Sequence, residues 1–269
     1  MTLKEAKEIL HAGGVDDPLY DARCIFERVG GIPRHLLIDQ SVSSDSPAVE
    51  YAVMRRSGRE PLQYILGEVD FYRESYTVSP ACLIPRADTE ILVDYAVKML
   101  PRGASFLDLC TGSGCVAISV LNNTDSTRAV AVDLSDSALE IAKKNALRNG
   151  VDGRIEFISR DVMREAISGS WYAVLSNPPY VSERAYGELE PEIYKEPAMA
   201  FLGGEDGGDF YRRLTPMYRD IIADGGFIAY EIGYDQSELL EKIAEDCNMS
   251  AEIIRDLSGN PRVAVLRKK

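Results

Sequence analysis

Three absences narrow the possibilities before any motif is read. No stretch approaches the roughly 20 consecutive apolar residues that a bilayer-spanning helix needs, so no membrane association is expected. Met1-Thr2-Leu3-Lys4-Glu5 is charged and amphipathic, without the apolar segment of a signal peptide, and a cytoplasmic location is the expectation. Clustered cysteine is missing as well. Cys24, Cys82, Cys110, Cys115 and Cys247 form no CxxC pair, and the two histidines, His11 and His35, lie far from most of them. That supports neither a zinc site nor a disulfide framework, and no metal is expected. Basic charge is the third shortage: 30 Lys and Arg face 43 Asp and Glu, a net charge of −13. Broad binding to DNA or RNA rests on neutralising phosphates, so no direct nucleic-acid partner is expected. The acid excess would suit a basic protein partner, although solubility alone also accounts for it.

What is present is an ordinary globular composition in 269 residues, 45% hydrophobic and 27% charged, enough for one or two domains. Residues 1–60 read as a helical unit. Thr2 and Glu5 form a capping-box pattern, and Gly13-Gly14 ends the run behind it. Asp17-Pro18 supplies an N-cap and an N1 proline for a helix carrying Leu19, Ala22, Phe26 and Val29. Ser46-Pro47 opens another, with Val49, Ala52 and Val53 on one face. Residues 61–80 turn aromatic and β-branched. Tyr64-Ile65-Leu66-Gly67 and Val69-Asp70-Phe71-Tyr72 through Tyr76-Thr77-Val78 suggest a hairpin linking two domains. Arg86 and Glu90 then flank the first turn of a helix that Asp88 or Thr89 would cap, with Ile91, Leu92, Tyr95, Ala96 and Met99 as its core face. The pair is either a surface contact of little worth or part of a ligand entrance.

From residue 101 onward, strand and helix patterns alternate, the signature of a parallel sheet. Seven strands are expected, at 105–109, 129–132, 155–158, 172–176, 226–231, 251–256 and 262–266. Helices are expected at 115–121, 136–148, 209–222 and 236–247. Only Leu257-Ser258-Gly259-Asn260-Pro261 joins the last two strands, too short for a crossover, so they must pair antiparallel.

In such sheets ligands sit beyond the carboxyl ends of the strands, and four strand ends here carry unusual residues. The first runs into Asp108-Leu109-Cys110-Thr111-Gly112-Ser113-Gly114, small residues that let backbone approach a ligand. No Gly-Lys-Ser/Thr follows, which excludes a P-loop, and Ala117 stands where a dinucleotide fingerprint needs its third glycine. The second ends at Asp133, placed either to bond a ribose diol or to cap the next helix, a task for which Ser135 and Asp136 compete. Asp161 follows the third and could accept an adenine amine, or be a plain loop acid. The fourth stops at Asn177-Pro178-Pro179-Tyr180. Two prolines cannot stay in a central strand, so the chain leaves as a stiff loop presenting an amide and a phenol.

Taken together and in this order, the four strand ends resemble the S-adenosylmethionine-dependent methyltransferases. The resemblance implies an α/β fold with a seven-stranded class I, Rossmann-like methyltransferase domain (residues 81–269) behind a small N-terminal helical domain. It implies a cofactor site at Cys110, Thr111, Gly112, Ser113, Gly114, Asp133, Asp161, Val162 and Asn177. The Asn-Pro-Pro-Tyr set is similar to those acting on planar amide or exocyclic amino nitrogens. Asn177 and the Pro178 carbonyl would accept the two N–H groups, with Pro179 and Tyr180 completing the substrate contact.

Gln63-Tyr64-Ile65-Leu66-Gly67-Glu68, Leu83-Ile84-Pro85-Arg86-x-Asp88-Thr89-Glu90, Glu196-Pro197, Gly203-Gly204-x-Asp206-Gly207 and Glu231-Ile232-Gly233 narrow the resemblance to the peptide chain release factor glutamine methyltransferases. That family implies N5-methylation of the glutamine in the Gly-Gly-Gln motif of class I release factors, with the helical domain docking the substrate. A monomer is expected. The Gln63–Glu68 and Ile84-Pro85-Arg86 segments also fit a ribosomal-protein glutamine methyltransferase, and the release-factor reading rests on the whole-chain pattern with the N-terminal helices. Asn-Pro-Pro-Tyr also fits an adenine-N6 DNA methyltransferase, against which the acidic charge argues. A non-catalytic cofactor-binding scaffold would have no need of Asn177 and Tyr180. Cys110 and Val162 depart from the family's glycine and tryptophan. Cys110 is expected to be tolerated with φ negative, and Val162 to offer adenine apolar packing. Ala87 replaces a common proline at some cost in rigidity.

Overall fold

The computed structural model describes residues 1–125 and 127–269. They form two compact units, Met1–Val69 with Glu190–Lys195, and Asp70–Leu189 with Glu196–Lys269.

The first unit packs α1 (Leu3–Ala12), α2 (Pro18–Arg28), α3 (Pro47–Ser57) and α4 (Leu62–Leu66) around Leu3, Leu10, Ile25, Phe26, Leu37 and Val53, all without exposed surface. The capping box at Thr2 and Glu5 forms in both directions, and Asp17 caps α2 by accepting from the Tyr20 N–H at 3.0 Å. Tyr64–Leu66 are helical, not a strand of the expected hairpin. Pro61 needs no donor at a helix start, and Gly67, at φ 76°, closes the turn by donating to Gln63 O at 2.8 Å. The hairpin is confined to β1 (Glu68–Phe71) and β2 (Glu74–Thr77). Arg56, nearly buried, donates to Asp21 at 2.6 Å and to Glu192 at 2.8 Å, which ties the Glu190–Lys195 segment to α3.

The second unit is the α/β sheet. In chain order its elements are α5 (Glu90–Met99), β3 (Ser105–Leu109), α6 (Cys115–Asn122), β4 (Arg128–Asp133), α7 (Asp136–Arg148), β5 (Ile155–Ser159), β6 (Trp171–Ser176), α8 (Glu183–Tyr186), α9 (Asp209–Arg219), β7 (Ile222–Glu231), α10 (Ser237–Asp246), β8 (Met249–Arg255) and β9 (Pro261–Lys268). The seven strands lie in the order β5-β4-β3-β6-β7-β9-β8. All neighbours are parallel except β9, which runs antiparallel to both β7 and β8, as its short connection requires. Phe106-Leu107, Ala173-Val174-Leu175 and Phe227–Tyr230 are fully buried, as befits strands covered on both faces.

Most element ends shift by one to three residues from the sequence reading, and two regions differ more. α9 stops at Arg219, and Ile222 already pairs with Trp171, so β7 starts four residues early and absorbs the surplus in an irregularity before Phe227. α5 is led in by a 3-10 turn over Ala87–Thr89 with no side-chain cap, and it buries Leu92, Val93 and Ala96 while Met99 stays exposed. Among the described residues no helix is long and apolar enough to cross a membrane.

The strand order decides where a ligand can go. The chain builds outward from β3 to β5, then returns to lay β6 against the other side of β3. Crossovers therefore leave β3 and β6 in opposite directions, opening a crevice at their carboxyl ends. Those ends carry Cys110–Gly114 and Asn177–Tyr180.

Candidate active site

A cavity of about 370 Å³ opens at that crevice. Cys110 and Gly112 line it from β3, Asp133, Leu134, Ser135 and Ala138 from β4 and α7, and Arg160 to Met163 from the end of β5. Asn177 and Pro179 form the β6 side, and Ala81 to Leu83, Pro197, Met199, Ala200, Leu202 and Phe210 complete the walls. Of the residues singled out by sequence, Thr111, Ser113, Gly114, Pro178 and Tyr180 are not in this lining.

The glycine turn is held from below by a buried acid. Asp108, 1% exposed, accepts from the Thr111 hydroxyl at 2.6 Å and the Ala117 N–H at 3.1 Å. Burial nevertheless pushes its carboxyl up to about 7. Gly112 N–H donates to Asp133 Oδ2 at 2.8 Å, and Ser135 N–H to Asp133 Oδ1 at 2.9 Å. Asp133 thus ties two strand ends together, and burial, partly offset by these N–H groups, raises its pKa. It does not cap α7: Ser135 does, accepting from Ala138 N–H at 3.2 Å. Gly114, at φ 82°, sits where a Cβ would lie 3.1 Å from Ala142 Cβ, so glycine lets α6 and α7 close behind the turn.

Cys110 corrects an expectation. Its φ is +59°, in the left-handed region, not negative. The turn imposes there a conformation that costs a side-chain-bearing residue about 1–2 kcal/mol relative to glycine. Val162, 5% exposed, packs into the core and also lines the cavity, beside Asp161, whose Oδ1 accepts from Met163 N–H at 3.0 Å.

On the β6 side, Asn177 Nδ2 donates to the buried Thr89 hydroxyl oxygen at 3.2 Å, which leaves Oδ1 as the free acceptor of the amide. Pro178 and Pro179 are buried and stiffen the loop. The Tyr180 hydroxyl donates to Glu231 Oε1 at 3.2 Å, and burial beside that carboxylate raises the phenol's pKa. The loop is then clamped along its backbone. Val181 N–H donates to Phe201 O at 2.8 Å, Gly203 N–H to Val181 O at 2.9 Å, and Gln236 Nε2 to Tyr180 O at 3.0 Å. A Cβ at Gly203 would stand 2.6 Å from Pro179 O, so only glycine allows this approach.

Arg86 does not pair with Glu90. Its guanidinium meets Glu196, which also accepts from Ile84 N–H at 2.9 Å, while Glu90 accepts from Tyr72 N–H at 2.8 Å. Thr89, read from sequence only as a helix cap, and Glu196, Glu231 and Gln236, given no role by local pattern, are thus structural parts of the site. Thr89, Glu196 and Glu231 were marked only by their presence in the quoted motifs, and Gln236 not at all.

Seen whole, this is the architecture of a methyltransferase. A ribosomal protein L11 methylase from Lactobacillus delbrueckii subsp. bulgaricus shares the fold with a TM-score of 0.52 at 16% identity, over 68% of this chain and 80% of that one. Residues 87–201 match the methyltransferase small domain, and residues 2–67 the PrmC N-terminal domain. The release factor glutamine methyltransferase of Fusobacterium nucleatum is 33% identical over 271 residues, 97% of this chain and 76% of its own. That of Caulobacter vibrioides is 34% identical over 269 residues, covering 97% and 93%. The chain belongs to the release factor glutamine methyltransferase family.

Proposed function

We propose that this enzyme methylates the side-chain amide nitrogen of the glutamine in the Gly-Gly-Gln motif of class I release factors, using S-adenosylmethionine. One observation carries the reading: Asn177, with Nδ2 committed to Thr89, presents Oδ1 as a fixed acceptor at the wall of the switch-point cavity. An amide N–H₂ has two donors and a delocalised lone pair. Accepting those donors at Asn177 Oδ1 and the Pro178 carbonyl orients the nitrogen and raises its electron density. Tyr180 steadies the loop through its hydroxyl and its backbone. Once methylated, the nitrogen is strongly acidic and releases a proton without a dedicated base, so positioning and electrostatics carry the rate.

The cavity's donor set fits the cofactor. Asp133 is an acceptor for ribose hydroxyls. Leu134, Ala138, Val162 and Met163 offer an apolar slot for adenine, with Asp161 as acceptor for its amine. Gly112 keeps its side of the cavity open, since no protein atom lies within 4 Å of where a Cβ would be. Backbone from Cys110 to Gly114 would face the remaining polar groups. When bound, the cofactor supplies an electrophilic sulfonium methyl.

The match of residues 2–67 to the PrmC N-terminal domain favours a release factor over a ribosomal protein. The net charge of −13 disfavours DNA. In this reading residues 1–60 dock the substrate, 61–80 link, 81–269 catalyse, and a monomer works in the cytoplasm without a metal. Purified enzyme with labelled cofactor should modify a release factor but not one whose loop Gln is replaced, with mass spectrometry of the loop peptide as readout. Label on a ribosomal protein or DNA instead would overturn the substrate. Asn177→Ala should abolish transfer while leaving cofactor binding largely intact.

A further inference from the structure

Glu231 ends β7 one residue beyond Tyr230, which pairs with Ser176 on β6. The acid therefore adjoins the point where Asn177-Pro178-Pro179-Tyr180 leaves the sheet. It is 2% exposed, Oε1 accepts from the Tyr180 hydroxyl, and Oε2 is buried with no partner. A bare buried carboxylate oxygen is costly. A fold that keeps one beside its reactive loop invites a functional reason.

The hydrogen bonds supply it. The Thr89 side chain lies beside the Glu231 carboxylate and favours its charged form, and the Thr89 oxygen accepts from Asn177 Nδ2 at 3.2 Å. A hydroxyl has one proton. With that proton drawn toward the neighbouring anion, the Thr89 oxygen faces Asn177 as an acceptor only. Asn177 must then turn Nδ2 inward and Oδ1 outward. Reversed, it would offer N–H donors to a substrate nitrogen that itself carries only N–H donors. One anion thus sets the sense of every hydrogen bond from Tyr180 through Thr89 to Asn177.

We propose that Glu231 is the positioning residue of the Asn-Pro-Pro-Tyr loop, its ionised carboxylate orienting Thr89 and Tyr180 so that Asn177 presents Oδ1 to the substrate amide. The inference rests on the reading of the cavity as a glutamine-amide site. Burial places the Glu231 carboxyl at about 7. That balance includes an upward push from Asp88 and a downward one from Arg262, itself 3.3 Å from Asp88. Cys115 and Tyr211 also lie close to it, Tyr211 donating to the Glu231 backbone carbonyl at 2.9 Å. Protonation turns one carboxyl oxygen into a donor and breaks the sense of the chain. Turnover should therefore rise with pH through an apparent pKa near 7.

Steady-state transfer from labelled S-adenosylmethionine to a purified release factor tests this. Glu231→Gln should lower kcat roughly tenfold or more, because a misdirected amide loses the near-attack geometry. KM for the release factor and equilibrium cofactor binding should stay within about twofold, since the lost contact orients rather than binds. The acidic limb of kcat should vanish. Thr89→Val should cause a similar loss, and the double variant should be no slower than the worse single one, as for residues acting as a unit. A Glu231→Gln enzyme with normal kcat and its acidic limb, or losses that multiply in the double variant, would overturn the proposal. Should Glu231→Gln not fold, Thr89→Val and Tyr180→Phe decide: two normal kcat values overturn it, and a kcat loss at constant KM supports it. Wild-type enzyme that transfers nothing to the release factor overturns the substrate reading and the proposal with it. Wild-type transfer beside an unaffected Glu231→Gln overturns the proposal alone.

Discussion

Replacing Asn145 by alanine removes three hydrogen bonds with one side chain. Asn145 lies on α7 with no exposed surface. Its Nδ2 donates to Thr77 O at 3.0 Å and to Ser113 O at 2.9 Å, and its Oδ1 accepts from Thr77 N–H at 2.7 Å. It thereby joins β2 and the glycine turn to α7. The two Thr77 groups are partly buried, so water can replace each at about 1 kcal/mol; the buried Ser113 carbonyl is left orphaned at about 2 kcal/mol. Together these give a loss of about 4 kcal/mol. At about 2–4 °C per kcal/mol for a unit of this size, the melting temperature should fall by roughly 8–16 °C. The protein's single tryptophan, Trp171, sits in β6, so its fluorescence follows the α/β unit alone. Asn145→Asp keeps the acceptor for Thr77 N–H but turns an oxygen toward two carbonyls, and should be at least as damaging. Both variants melting within about 3 °C of wild type would refute the reasoning, because the orphaned groups would then have found other partners at no cost.

Four further outcomes follow from the site and its supports. Asp133→Ala should weaken cofactor binding roughly 10- to 100-fold, one or two charge-assisted hydrogen bonds, as measured by calorimetric titration; an unchanged Kd would remove Asp133 from the ribose role. At Cys110 the relief of a left-handed side chain and the chain entropy of glycine nearly cancel, so Cys110→Gly should change stability by less than about 1 kcal/mol, whereas β-branched Cys110→Val should lose about 2 kcal/mol in urea unfolding. Arg56→Met strips Asp21 of its buried partner and should cost the helical unit about 3 kcal/mol, seen as faster amide exchange in α2 and α3; unaltered exchange would contradict it. Asp108 carries a carboxyl raised to about 7, so between the ordinary value near 4 and 7 the folded state holds a proton that the unfolded chain has released. Its contribution to stability is full below pH 4 and is lost as pH rises through 7, and Asp108→Asn should shrink the fall in melting temperature between pH 5 and pH 8.

Much of the sheet was legible because its signals are local. Apolar runs bounded by turn residues marked all seven strands, and a five-residue connection was enough to make the last pair antiparallel. The cavity's position followed from chemistry at strand ends, which needs no tertiary knowledge. What escaped was set by distant neighbours. Tyr64–Leu66 look like a strand by composition, yet Pro61 and Gly67 make them one helical turn. Arg86 has Glu90 four residues away, but its partner is Glu196, which only the folded loop brings near. Thr89 reads as a helix cap, and the fold instead buries its hydroxyl under Asn177. The sign of φ at Cys110 is dictated by what the turn must clear, not by the residue that occupies it.

The pairing of Arg56 with Glu192 has a consequence for synthesis. These residues are 136 apart in sequence. At about 5–20 residues per second, a ribosome reaches Glu192 roughly 7–27 s after Arg56 is made. Throughout that interval the helical unit has its apolar core but only Asp21 to neutralise Arg56. The first unit to emerge therefore cannot be completed alone: it waits for an acid delivered from the middle of the α/β unit's own chain.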